Sequence, residues 1–399
     1  MSRPSRLRTL GVRLPNVFSA LASIAFRGAR VVVSLAALAD GASPAMLGVI
    51  AAATVAAPTL LAVHAGKAAD RLGPRVPLLA GSAVMTLALT VPALVTGLPA
   101  LFVAVVVLGL GQIVFHLTIH YAIGLYGNRD DRTRNFSSFA LAGSVAAFIG
   151  PAASGYGVDH AGFRVTFACL ALVAILPCVV ILVAPHLLPA RPARLAPHEE
   201  GVRAALFAQG PLRRVFVASG MVLTGIELFT FYVPIYGRSI GLSATAIGLV
   251  LAAQAAAAFV VRLGLPELSR RLGAERMLAW ALVLAGFTYL AFPLFHAPVL
   301  LATISFALGL ALGCGQPLSI MLVYDHAPPG RAGEALGLRL TVNKFTQFGV
   351  PLVFGSLGTA FGLYPVFWAN AVLLGVSGAL SLRNLGRIET PDATAPARR

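Results

Sequence analysis

The chain repeats itself, without a gap, at an offset of 200 residues. Gly41, Ser43 and Gly48 return as Gly241, Ser243 and Gly248, and Arg71-Leu72-Gly73 returns as Arg271-Leu272-Gly273. Leu108-Gly109-Leu110 returns as Leu308-Gly309-Leu310, and Pro151 and Gly155 as Pro351 and Gly355. Chance supplies isolated Gly and Leu matches in so apolar a chain, but not several clusters in one register. The chain reads as two copies of one unit in the same order, so its fold must give the two copies equivalent surroundings.

The unit is written in apolar runs. Hydrophobic residues fill 58% of the 399 positions and charged residues 11%, with a mean hydropathy of +0.86. A soluble domain carries about a quarter charged residues. This chain cannot clothe a water-facing surface, and its solvent must be lipid. The runs fall at 15–38, 45–65, 76–97, 99–123, 136–157 and 163–184, then at 215–237, 244–262, 276–295, 298–323, 336–358 and 364–382. Each is close to the ~20 residues a spanning helix needs. No segment alternates with period two, which excludes a membrane β-barrel. The expected fold is an all-α integral membrane bundle of twelve transmembrane helices. An N-terminal six-helix half covers 1–184, a linker 185–214, and a C-terminal six-helix half with a short tail 215–399. Pro185, Pro189, Pro192, Pro197, Arg191, Arg194, Glu199 and Glu200 mark the linker as the one long polar stretch.

Lys and Arg set the orientation. They crowd the N-terminus, the even-to-odd connections, the linker and the C-terminus, whereas the opposite side holds only Arg164 and Arg238. Both termini and the linker are therefore expected in the cytoplasm. This count places Arg262 and Arg339 in cytoplasmic connections. The net charge of +16 does not signal nucleic acid, because the basic residues lie in short connections and not on one soluble face. Cys169, Cys178 and Cys314 lie inside apolar runs without metal or disulfide spacing and read as small buried side chains. No phosphate-cradling Gly-rich loop is present. The first run lacks a cleavage site and is expected to stay as helix 1.

Two short motifs narrow the class. The connection after the second run reads Gly66-Lys67-Ala68-Ala69-Asp70-Arg71-Leu72-Gly73-Pro74-Arg75. Its glycines permit a tight turn and close helix approach, and Asp70 is an acceptor placed to meet a helix N-terminus or an arginine. The fifth run holds Gly150-Pro151-Ala152-Ala153-Ser154-Gly155, where small residues let membrane helices approach and Pro151 favours a bend. The first motif resembles the G-x-x-x-D-R-x-G-x-R signature of the major facilitator superfamily. The second is similar to that family's efflux-associated G-P-x-x-G-G pattern, with Ser154 at a paired glycine and Ser137 and Ala146 at upstream ones. Tyr324-Asp325 through Asn343-Lys344 resembles the helix 10–11 region of bacterial members. The resemblance covers nearly the whole chain outside the tails and linker.

That resemblance implies two six-helix halves (6+6), each an inverted pair of three, with helices 1, 4, 7 and 10 around a central cavity. It implies alternating-access transport of a small solute, with a proton as coupling ion, efflux as direction, no cofactor, no metal and a monomer in a bacterial cytoplasmic (inner) membrane. It also implies that the Gly66, Asp70, Arg71, Gly73 and Arg75 signature acts as a latch on the cytoplasmic side. The second copy departs from it, with Pro266 for the glycine and Arg270 for the acid, so the latch is expected to be asymmetric. Val105, Val106 and Val107 stand where the family often has an arginine in helix 4, which weighs against an arginine-assisted proton step there.

Ionisable groups inside the bilayer are the sharpest clue, since each costs ~2.5–3.5 kcal/mol or more at a helix centre and so faces protein or water. Glu227 is the acid within a helix core, in the seventh run; Arg27 occupies the equivalent place in the first. Arg30 shares the helix face of Arg27. His116 in the fourth run is equivalent to Gln316 in the tenth. These residues are candidate substrate or proton ligands, together with Lys344, which lies near Asn343 and Gln347. His120 and Tyr121 are weaker candidates. Arg27 and Arg30 are candidate partners of Glu227 or anion ligands, and the repeat places Arg27 and Glu227 at equivalent depth with opposite charge. A structural ion pair is the plain alternative. Two other functions remain: an importer or facilitator of a small anionic metabolite, which fits Arg27 and Arg30 just as well, and, remotely, an intramembrane enzyme using His116 and Glu227, for which no nucleophile or metal constellation is visible.

Overall fold

The structure, a computed structural model, describes residues 5–125, 129–184, 210–328 and 331–389. Among them the regular structure is helical. The helices are α1 (Ser5–Ala39), α2 (Pro44–Leu72), α3 (Arg75–Leu94), α4 (Leu98–Leu125), α5 (Arg129–Val183), α6 (Gly210–Ser239), α7 (Ala244–Leu272), α8 (Ala274–Ala291), α9 (Pro298–Gly313), α10 (Gly315–His326), α11 (Ala332–Phe361) and α12 (Leu363–Glu389). A straight helix as long as α5 would run about 80 Å at ~1.5 Å per residue, far beyond a bilayer. It does not run straight. Gly162 takes a left-handed φ of 78°, and a Cβ added to Gly157 would lie 2.8 Å from Thr166 Oγ1, so the two arms fold back on each other. α5 thus makes the fifth and sixth passes, α6 is the seventh, and α9 with α10 makes the tenth.

Nine of these helices are long and apolar enough to cross a membrane among the described residues, with α5 counted once. α2 and α11 complete the twelve passes. Among its described residues α2 shows an apolar stretch over Pro44–Ala56, and α11 carries Arg339 and Lys344 in its middle.

The repeat is visible in the backbone. Gly41 and Gly241 (φ 81° and 79°), Gly73 and Gly273 (73° and 78°), and Gly162 and Gly362 (78° and 85°) all turn the chain in the left-handed region, which only glycine adopts readily. Ser43 Oγ accepts from Met46 N at 3.2 Å and Ser243 Oγ from Ala246 N at 3.1 Å, so the same side chain starts the second helix of each half. Both turns define one end of the bundle, here the 41/241 end; the 73/273 turns lie at the other.

Within the N-terminal half α1 packs on α5 and α3 on α4; within the C-terminal half α8 packs on α12 and α7 on α9. The halves meet where α5 packs on α7 and α2 on α11, with a lesser contact of α1 on α6. The C-terminal core is aromatic: Tyr232, Tyr236, Phe292 and Phe367 stack or meet edge to face. Their hydroxyls reach backbone carbonyls, Tyr236 to those of Pro293 and Phe295 and Tyr232 to that of Phe354, as buried polar groups require. Of the cysteines, Cys314 is buried, Cys178 half-buried and Cys169 exposed on the bundle exterior, so the expectation of three buried thiols fails for Cys169.

Candidate functional site in the space between the halves

Glu227 on α6 is the hub. Arg30 on α1 donates from Nη2 to Glu227 Oε2 at 2.8 Å. Gln347 on α11 donates from Nε2 to Oε1 at 3.3 Å, and Lys344 Nζ donates to Gln347 Oε1 at 3.1 Å. Both carboxylate oxygens are therefore engaged, one from each half. The Glu227 side chain is 9% exposed and that of Arg30 27% exposed, so the acid is enclosed and its partner stands at the edge of open space. A desolvated ion pair of this kind is held by geometry and supplementary hydrogen bonds more than by Coulomb gain alone.

Of the two candidate arginines, Arg30 bonds Glu227. Arg27 lies one helical turn away, within electrostatic reach of Arg30, Glu227 and Arg262. It makes no hydrogen bond or ion pair among the described residues. Its neighbours Ala25, Gly28 and Ala29 are buried while Arg27 itself is exposed. A side chain that is exposed yet surrounded by charges of the other half projects into the space between the halves.

The helix 5 motif sets this geometry. Gly150 and Ser154 face α1: a Cβ on Gly150 would lie 2.9 Å from Ile24 O and 3.3 Å from Arg27 Cβ, and Ser154 packs on Gly28. Gly155 and Pro151 face α7 of the other half, where a Cβ on Gly155 would strike Ala244 O and one on Gly248 would lie 2.5 Å from Pro151 O. One turn of helix therefore seats α1 on one side and the opposite half on the other. α2 and α11 repeat the arrangement, with Gly48 against Pro351 O and Gly355 against Pro44 O at 2.8 Å.

His116 and His120 on α4 pack with ring centroids 4.4 Å apart and planes tilted by 56°, and Phe139 of α5 lies against both. His116 is in electrostatic reach of Lys344 and Arg27, so it borders the same space. Gln316 instead belongs to a network behind it. Arg339 on α11, 2% exposed, donates to Gln316 Oε1 at 2.5 Å and to Ser319 Oγ at 2.7 Å. Asn343 links Gln316 to Ser219 of α6. Arg339 is not in a cytoplasmic connection as its position beside an apolar run suggested; it is a buried fastener between α10 and α11.

Arg262 is a second correction. It lies inside α7. Its Nε donates to Gly313 O at 3.1 Å and its Nη1 to Ser144 Oγ at 3.0 Å. The Gly313 carbonyl is free to accept because its helical donor would be residue 317, a proline without an N–H, and the tenth pass breaks at Cys314, between α9 and α10. One guanidinium thus joins that break to α5 of the other half. Sequence reading missed both arginines, and it missed the break because Gly313-Cys314-Gly315 reads as continuous apolar helix.

Gly66, Asp70 and Arg71 fall in the last turns of α2, but the surroundings of Gly66 and the side chains of Asp70 and Arg71 lie outside the described residues, as does that of Tyr121. Gly73 makes the left-handed turn that the motif required, and Arg75 opens α3.

Residues 17–348 match the family described as Major Facilitator Superfamily. The chain is similar to the "Multidrug resistance protein MdtG" of Dickeya zeae, 24% identical over 341 residues that cover 83% of this chain and 82% of that one. It is also similar to the protein of the same name from Enterobacter lignolyticus, 24% identical over 350 residues, covering 82% and 80%. Among solved structures, a bacterial homolog of the human lysosomal transporter Spinster, inward-facing and unoccupied, matches with a TM-score of 0.79 at 13% identity over 98% of this chain and 100% of that one. A peptide transporter POT in complex with sulfate matches with a TM-score of 0.77 at 17% identity over 95% and 94%. At these identities the solved structures speak for the fold alone.

Proposed function

Because this chain belongs to the Major Facilitator Superfamily, a family of membrane transporters, we propose that it exports a small solute by alternating access, driven by protons. The relatives named for multidrug resistance support the direction of transport. The observation that carries the coupling is the Arg30–Glu227 pair, which ties a helix of one half to a helix of the other. Protonating Glu227 removes its charge, frees Arg30 and loosens the halves at this point. Proton binding is then linked to the conformational equilibrium, as coupled transport requires.

The halves touch closely at the 41/241 end, which the Lys/Arg bias assigns to the outside. The conformation is thus read as inward-facing, with Arg27 reached from the cytoplasm. In this reading the protein is a monomer of the bacterial inner membrane, with both termini and the 185–214 linker cytoplasmic and Asp70 acting in the cytoplasmic latch. Reporter fusions after Gly97 and after Pro197 should report opposite sides; like signals would overturn the topology.

The deciding experiment uses proteoliposomes with an imposed pH gradient. The protein should concentrate substrate against its gradient, an uncoupler should abolish this, and Glu227→Gln should lose accumulation while keeping substrate exchange. A Glu227→Gln protein that still concentrates substrate would remove Glu227 from the coupling.

A further inference from the structure

The space between the halves is strongly unbalanced in charge. Arg27, Arg30, Arg262 and Lys344 surround it with His116 at its border, and Glu227 is the one acid among the described residues that faces them. Most of these cations already have a hydrogen-bond acceptor, though only Arg30 has a counter-charge. Arg30 is bound to Glu227, Arg262 holds Ser144 and the Gly313 carbonyl, and Lys344 leans on Gln347. Arg27 differs: its fork of five N–H donors has no acceptor among the described residues, and it stands exposed in the space. A cation inside a bilayer needs a counter-charge or water, and a guanidinium matches a carboxylate with two parallel hydrogen bonds. Among the described residues nothing in the inner face offers a second carboxylate.

We propose that the transported solute is a small organic anion whose carboxylate is gripped by Arg27, with Lys344 as the second positive contact. This deepens the transport reading and rests on it. Glu227 is the competing anion built into the protein. While it holds Arg30, Arg27 remains open to the substrate, so one acid serves the proton and one arginine serves the solute. The base of the Arg27 side chain packs beside Gly150 of α5, where an added Cβ would lie 3.3 Å from Arg27 Cβ. Attraction of an anion into a cavity of this sign also raises its local concentration.

The test is binding to purified full-length protein in detergent, without any gradient, so its failure and the failure of proton coupling are separable. Three probes of one shape are compared by calorimetry and thermal shift: benzoate, benzamide and benzylamine. Benzoate should bind and stabilise, with benzamide and benzylamine at least tenfold weaker. Arg27→Gln should weaken benzoate at least tenfold, Lys344→Gln less, and Arg27→Lys should retain part of the binding. A melting curve in the absence of probe checks that each variant is folded, and Arg27→Lys carries the comparison if Arg27→Gln is not. Benzylamine binding as tightly as benzoate, failure of benzoate to bind at millimolar concentration, or unchanged benzoate binding in a folded Arg27 variant would each overturn the assignment.

Discussion

Asp159 and Thr359 stand 200 residues apart, and each caps a helix of the opposite half. Asp159 accepts from Ala244 N at 3.0 Å and Thr245 N at 2.6 Å, at the start of α7. Thr359 Oγ1 accepts from Ala45 N at 2.9 Å, at the start of α2. The 41/241 end is therefore held shut by two clamps related by the repeat. One is a charged cap that satisfies two orphan N–H groups and complements the helix dipole; the other is a neutral hydroxyl.

Removing the charged clamp should bias the protein toward the state open at the 41/241 end. A cap of this kind contributes about 1 kcal/mol, so Asp159→Ala should shift the equilibrium roughly fivefold, and Thr359→Val less. The readout is the rate of alkylation of a single cysteine placed in the cavity, approached from the outside. Equal rates in parent and Asp159→Ala protein would show that the clamp holds no part of the closed state.

The Arg30–Glu227 pair should behave as a unit. Arg30→Ala strands an enclosed carboxylate, at a cost of about 3–5 kcal/mol if the site stays dry and less as water enters. Arg30→Ala with Glu227→Ala together should be less damaging than the sum of the single changes. Thermal unfolding of the four proteins in one detergent gives the coupling directly, and strictly additive losses would argue that the two side chains do not depend on each other.

Glycines at the interface between halves should differ in effect from glycines within a half. Gly248→Val places a side chain against Pro151 O and the Gly155 backbone across the interface. It should keep the 41/241 end from closing while leaving each half folded. Gly28→Val acts inside the N-terminal half, against Ser154, Leu170 and Gly150. It should lower thermal stability by about 1–3 kcal/mol, in the range for overpacking, without a preference between conformations. Accessibility labelling with melting temperature separates the two, and like behaviour would contradict this division.

Arg262→Ala should weaken both the α5–α7 seam and the break in the tenth pass, since it leaves the Gly313 carbonyl and Ser144 without their donor. A cost of about 1–3 kcal/mol follows for lost bonds to a charged group, with Ser144→Ala costing less because Gly313 keeps its partner. If Ser144→Ala costs as much as Arg262→Ala, the link to Gly313 carries no weight.

Much of the fold is legible in the sequence because it is carried by groups with few alternatives. Gly41, Gly73 and Gly162 with their partners mark turns that other residues adopt poorly, and the apolar runs mark the passes. The site is legible only in part. Glu227 stands out because an acid in a helix core has no cheap explanation. Its partner is narrowed to Arg27 or Arg30 and no further, because the 200-residue offset equates backbone positions, whereas the long side chain of Arg30 reaches Glu227 from one turn further along α1. Arg262 and Arg339 hide for a related reason. A basic residue next to an apolar run looks like the end of a helix, and nothing local distinguishes it from one that continues and is buried. The break at Cys314 does have a local sign, Pro317, which cannot donate to the Gly313 carbonyl, but Gly313, Cys314 and Gly315 themselves suit close packing equally well.

The paired left-handed glycines also bear on how such a chain can be made. Gly41, Gly73 and Gly162 serve the first copy, and Gly241, Gly273 and Gly362 the second, so neither copy borrows a turn from the other. Ala184 and Gly210 bound the connection between the copies. A gene cut there and expressed as two polypeptides would leave every turn of each piece intact, and the pieces would have only to find each other in the plane of the membrane, along the α5–α7 and α2–α11 seams.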